Sequence, residues 1–198
     1  MNRSKTAYDN VAKMLHWLIA LAIIGMLVLG WLMTSDTIAN GPSKFAMFQW
    51  HKSVGITILA LSLLRLLWRF ANPPPPLPPG MKKWEIAAAK ITHILFYVLI
   101  IALPLVGWMM VSLSSFKTVL YGFLPLPNLP LLADMENKKE LKELLEDMHG
   151  LLAYMTVALL ALHIGAAGKH HLINRDDVLL RMAPKFAARF LEKIRSYI

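Results

Sequence analysis

Apolar residues dominate four long runs, at roughly 14–33, 47–68, 86–112 and 148–168, and most charges fall between them or at the ends. A hydrocarbon core about 30 Å thick takes about 20 helical residues, so each run is long enough to cross a bilayer. A bilayer also demands helix, because a helix satisfies its own backbone hydrogen bonds. The pattern therefore predicts an all-α membrane protein, a bundle of four transmembrane helices. Pro104 predicts a kink in the third helix. Gly25 and Gly30, in the outer half of the first, allow close helix packing.

The breaks between runs differ in kind. TSDTIANGPS (34–43) reads as a turn. ANPPPPLPPG (71–80) reads as a stiff polyproline II spacer, since proline fixes φ and removes donors. The longest connection, 113–147, contains LPLPNLPLL, expected against the membrane interface, and then ENKKELKELLEDM. There Leu141, Leu144, Leu145 and Met148 recur at helical spacing, which predicts a short amphipathic helix leading into the fourth span. Beyond that span, Phe186, Phe190, Ile194 and Tyr197 share a face with Arg189 and Lys193 beside them. This predicts an interfacial helix on an anionic leaflet. The division is thus a four-helix domain over 1–184 and a basic amphipathic cytoplasmic tail over 185–198.

Composition agrees: 57% of residues are hydrophobic, and the mean hydropathy is +0.50, beyond most soluble domains. Cysteine is absent, which excludes disulfides, thiolate metal sites and thioether-linked haem. The net charge of +9 is distributed for a membrane, not for nucleic acid. Arg3, Lys5 and Lys13 mark the N-terminal arm, and Arg69, Lys82 and Lys83 the middle connection. Lys169, Arg175, Arg181, Lys185, Arg189, Lys193 and Arg195 follow the last span. The 34–46 loop has only Lys44, and in 113–147 acids outnumber lysines. The positive-inside rule then places both termini and the middle connection in the cytoplasm. The first run is too long for a signal-peptide core, so it is expected to remain as a span.

Histidine is the chemistry these spans carry. His149 and His163 are fourteen residues apart, which at about 100° and about 1.5 Å per residue puts them on one helix face about 21 Å apart. His51 lies near the outer end of the second span and His16 near the inner end of the first. Topology therefore pairs His51 with His149 outside and His16 with His163 inside. Imidazole pairs suit haem iron, so each site is expected to hold a haem b. A small residue follows each histidine by one turn: Ala20, Gly55, Ala153 and Ala167. His93 has Tyr97 there, which favours a supporting role for it, a hydrogen bond to a haem carboxylate or another imidazole. A zinc or proton pathway would normally add carboxylates, and residues 37–84, 86–133 and 148–175 contain none. No Ser-His-Asp arrangement suggests a hydrolase. Arg65 and Arg69 read as snorkelling anchors, with a haem-carboxylate or quinone contact as the alternative. His170 and His171, by themselves, read as interfacial anchors.

Seven pieces carry a resemblance: LHW (15–17), WHKSVG (50–55), RLLWR (65–69), IALPLVGWMM (101–110), HGLLAY (149–154), LHIGAAGKHH (162–171) and RDDVLLRMAP (175–184). In this order and spacing the chain resembles the bacterial di-haem cytochrome b561 family over about residues 7–184. The resemblance implies axial ligands at His16, His51, His149 and His163, and a cytoplasmic-side quinone site with His170 as its hydrogen-bond partner. It implies electron transfer between an outer donor, superoxide or a protein, and membrane ubiquinone, the activity of a quinone-linked oxidoreductase. The alternative is a non-enzymatic relay anchored in a larger respiratory complex. A member that oxidises superoxide would be expected to steer it with a basic outer surface. The long outer loop here is net acidic, which leaves room for another donor.

Overall fold

A computed structural model describes residues 7–36, 38–114, 118–132, 135 and 137–197. Arg3, Lys5, Lys117, Asp134 and Glu136, counted above in the charge balance, lie outside these. Four long helices dominate: α1 (Asn10–Thr34), α2 (Pro42–Ala71), α3 (Lys83–Ser112) and α4 (Lys138–Leu172). All four are long and apolar enough to cross a membrane. Their outward faces are greasy: Trp31 is 72% exposed, and Leu67, Ile94 and Leu162 are also open. Such an exterior suits lipid rather than water.

Local chemistry sets the helix ends. The Asp9 carboxylate accepts the Ala12 N–H at 2.9 Å, the N-cap bond that satisfies a donor of the first turn. The same oxygen accepts Trp68 Nε1–H at 3.1 Å, tying the start of α1 to the end of α2. Pro42 opens α2 where a helix tolerates proline best. Glu85 turns back to accept the Lys82 N–H at 3.1 Å. Serine and threonine inside the spans return their hydroxyls to carbonyls one turn back, as Ser53 does to Gln49 and Thr156 to Leu152, both at 2.8 Å. The helix α3 continues through Pro104.

Backbones pack closely in chain order, α1 on α2, α2 on α3, α3 on α4. No comparable approach joins α1 to α4. That seam is where the inner histidines meet.

The connection between α3 and α4 departs from expectation in two ways. First, it contains a small antiparallel hairpin, β1 (Thr118–Leu120) and β2 (Leu124–Leu126). Tyr121 and Gly122 both adopt positive φ, 53° and 81°, as a primed turn requires. Tyr121 is held there by its N–H on Ser53 Oγ (2.9 Å) and its hydroxyl on Thr57 (2.6 Å). The LPLPNLPLL stretch is latched to α3: Trp108 Nε1 donates to the Pro127 carbonyl at 3.0 Å and Leu129 N–H to Ser112 Oγ at 3.1 Å. Second, the predicted amphipathic helix is not separate. It forms the first turns of a continuous 35-residue α4, about 52 Å long at about 1.5 Å per residue, well beyond a core of about 30 Å. Leu145 anchors the projecting part against Val106, Leu113 and Leu132.

After α4 come α5 (Val178–Met182) and α6 (Lys185–Ser196). Phe186, Phe190 and Tyr197 of this tail are exposed. The tail is pinned rather than frayed. His171 Nε2 meets the Leu191 carbonyl at 3.1 Å, and Arg195 Nη1 reaches Asp177 at 3.0 Å. Lys13 Nζ and Trp17 Nε1 donate to the Ala183 and Met182 carbonyls at 3.1 and 3.0 Å. The start of α1 and the C-terminal segment therefore share one end of the bundle.

Candidate haem sites

At the other end, His51 of α2 faces His149 of α4, with ring centres 6.1 Å apart and planes at 64°. Both rings stand against glycine. A Cβ on Gly30 of α1 would lie 3.5 Å from His51 Cε1, and one on Gly107 of α3 would lie 3.3 Å from His149 Cε1. Nδ1 is the next nearest ring atom in both cases, so Nε2 is the nitrogen left for coordination. The two histidines line a cavity of about 540 Å³ shared by all four helices, with Leu27, Gly55, Pro104 and Ala153 among its walls. That volume is within the usual range for cofactor sites, about 300–1,000 Å³.

Toward the first end, His16 of α1 and His163 of α4 have ring centres 6.3 Å apart and planes at 65°. His93 of α3 also stands 6.0 Å from His163, and Phe96 lies 5.2 Å from it. Distance alone therefore lets His163 pair with either His16 or His93. Two guanidinium groups lie over the ring of Tyr97, one turn beyond His93: Arg65 at 5.7 Å and Arg69 at 5.6 Å from its centre. Arg65 is close enough to His16, His93 and His163 to act on each electrostatically. Neither arginine forms an ion pair with a carboxylate among the described residues.

Both pairs fit a metal held between two imidazoles. Bonds of about 2.0–2.1 Å, with each ring centre about 1.1 Å behind its nitrogen, separate the centres by about 6.2 Å. His16 Nδ1 and His51 Nδ1 are buried without a hydrogen-bond partner among the described residues. No group of three or more His, Asp or Glu side chains among the described residues forms a metal cage. Paired imidazoles, with a large apolar cavity beside His51 and His149, suit a flat macrocycle better than a bare ion. His149 and His163 share α4, so the sites stand about 21 Å apart along its axis.

The structure places His170 and His171 differently from surface anchors. They are 8% and 2% exposed. His170 Nδ1 lies 2.5 Å from Asp176 Oδ2 and 3.2 Å from Asn174 Nδ2. Lys169 Nζ, beside them, bonds Glu85 at 2.6 Å. The sequence reading singled out neither Asp176 nor Gly107.

A bundle of four apolar helices carrying imidazole pairs at two depths defines a membrane electron-transfer protein of the cytochrome b class. A family profile described as prokaryotic cytochrome b561 matches residues 7–185, and the chain belongs to that family. It is similar to cytochrome b561 homolog 2 of Escherichia coli (strain K12), 30% identical over 183 residues, covering 92% of this chain and 94% of the relative. Cytochrome b561 homolog 1 of the same organism is 30% identical over 176 residues, covering 86% and 93%. A Yersinia pestis protein named probable superoxide oxidase CybB is 31% identical over 175 residues, covering 86% and 92%. The family accounts for haem b, the helical bundle and the bacterial membrane.

Proposed function

We propose that the chain carries electrons across the bacterial inner membrane between an outer donor and membrane ubiquinone, through two haems b, with both termini in the cytoplasm. The observation that carries this reading is the pair of imidazole pairs, at 6.1 and 6.3 Å, stacked along α4. In it, His51 and His149 hold the outer haem and His16 and His163 the inner one. Haem b supplies one-electron chemistry at each site. Arg65 and Arg69, two cations without an acid partner among the described residues, would supply the opposite charge for the carboxylates of an inner haem, because charge taken from water needs an opposite charge. His93 supports His163 from α3. His170 hydrogen-bonds quinone at the cytoplasmic end. Superoxide is the donor suggested by the name of the Yersinia relative. A protein donor is the second reading, favoured by the acids Glu140, Glu143, Glu146 and Asp147 at the projecting start of α4.

A reduced-minus-oxidised spectrum with a pyridine haemochrome assay tests the core of this reading. Two low-spin haems b per chain are expected, and His149→Ala should lose the outer one while keeping the inner one. Retention of both haems in that variant would refute the assignment. Purified protein given a chemical reductant should reduce a soluble ubiquinone analogue. If it holds two haems but cannot, the chain is instead a relay subunit of a larger complex.

A further inference from the structure

Three consecutive residues at the cytoplasmic end of α4 each bond a different element. Lys169 bonds Glu85 of α3, His170 bonds Asp176 in the turn after α4, and His171 bonds the Leu191 carbonyl of α6. The middle contact is the most constrained. Asp176 Oδ2 holds His170 Nδ1 at 2.5 Å, while Oδ1 accepts the Val178 N–H at 3.0 Å. The Asp176 N–H donates to the His170 carbonyl at 3.1 Å. Arg195 Nη1 of α6 donates to the Asp176 carbonyl at 3.2 Å, and Arg175 makes the turn at a φ of 54°.

A turn-closing role alone would need less. The Val178 bond and the backbone bond already fix the turn, yet the second carboxylate oxygen is spent on a mostly buried imidazole. A carboxylate on Nδ1 fixes the tautomer and orientation of a histidine and supports its protonated form. It also leaves Nε2 free: no hydrogen bond occupies that atom among the described residues.

We propose that Asp176 is a positioning residue for the quinone step, holding the His170 imidazolium, with Nδ1–H on the carboxylate, so that its Nε2–H is presented to the quinone oxygen. This rests on the quinone reading above. Reduction of a quinone to a quinol takes two electrons and two protons. The electrons come from the outer donor by way of the inner site. At the carbonyl next to His170, an O–H bond forms on quinone as the Nε2–H bond breaks, and cytoplasmic water returns a proton to Nε2. The second proton comes from the same water. The charged groups around His170 are Asp176 in the turn, Lys169 on α4, Glu85 on α3 and Arg195 on α6, with the Asn174 amide beside the ring.

The test uses full-length, haem-loaded protein, reduced without oxygen and mixed with either decyl-ubiquinone or ferricyanide, which takes an electron without a proton. Asp176→Asn should slow haem reoxidation by the quinone about 10-fold or more, part of the about 10²–10⁴ that general acid–base catalysis contributes. Ferricyanide rates and haem spectra should not change, and Asp176→Glu should restore most of the quinone rate. Equal losses with both acceptors, or a wild-type quinone rate in Asp176→Asn, would overturn the proposal. Wild-type protein that reduces ferricyanide but not quinone would bring down the quinone reading itself, and this proposal with it.

Discussion

The outer and inner histidine pairs have nearly the same ring separation but are built from different materials. The outer pair is shaped by space: each ring rests on a glycine from a neighbouring helix, beside a roomy apolar cavity. The inner pair is shaped by company: a third imidazole, a phenylalanine and two arginines about a tyrosine crowd the same end. Steric change should therefore decide occupancy outside, and exchange of chemistry should decide it inside.

The largest effect should separate His16 from His93, which stand 6.3 and 6.0 Å from His163. His16→Ala is expected to lose the inner haem and leave about one haem per chain, measured by haemochrome assay against protein concentration. His93→Ala should keep both haems and shift only the inner potential, as loss of a supporting group around a ligand does. The reverse outcome would make His93 the axial partner and leave His16 as the supporting ring.

A glycine series tests the outer half of the comparison. In an ordinary helix Gly→Ala gains roughly 1 kcal/mol. At Gly30 a Cβ would meet His51 at 3.5 Å, an ordinary contact, so Gly30→Ala should be neutral or stabilising. At Gly107 the contact is 3.3 Å, and the ring must move by a few tenths of an ångström. Gly107→Ala should weaken retention of the outer haem, and Gly107→Val should abolish most of it, overpacking by roughly 1–3 kcal/mol. The inner haem should persist in all three, as read from the spectrum after detergent challenge. Equal behaviour at positions 30 and 107 would remove the steric account of the outer site.

Much of this was legible because a bilayer leaves few choices. Hydropathy gives the spans, and a spacing of fourteen gives two histidines on one face of α4. What was not legible depends on partners brought from elsewhere. Gly107 looks like any small residue in an apolar run until the His149 ring is known to face it. Asp176 meets His170 only because the chain reverses at Arg175 in the left-handed region, with no glycine to announce the turn. The charged start of α4 read as a short amphipathic helix leading into the span because its hydropathy differs from that of the span, although helical periodicity runs on unbroken through Leu145 and Leu152. The hairpin at Tyr121 has no polar alternation; its one local cue is a Tyr-Gly pair suited to a primed turn. His93 is a different case, since the sequence favours a supporting role for it while the structure sets it as near His163 as His16 is.

The smallest predicted effect probes how the inner end is tied together. Burial by itself would raise the pKa of Asp9; hydrogen bonds from the Ala12 and Trp68 N–H groups outweigh it and leave the pKa below its ordinary value. A carboxylate with a depressed folded-state pKa contributes stability that is present above the unfolded value of about 3.9 and lost as pH falls through the folded one. Asp9→Ala should therefore cost about 1 kcal/mol near neutral pH, the usual worth of an N-cap, and progressively less in strong acid. Because Asp9 joins the start of α1 to the end of α2, the cost should show as easier thermal loss of the inner haem band. The outer band should move less, since Tyr121, Ser53 and Thr57 fasten that end without any titrating carboxylate. Parallel shifts in both bands would mean that the two ends melt as one unit.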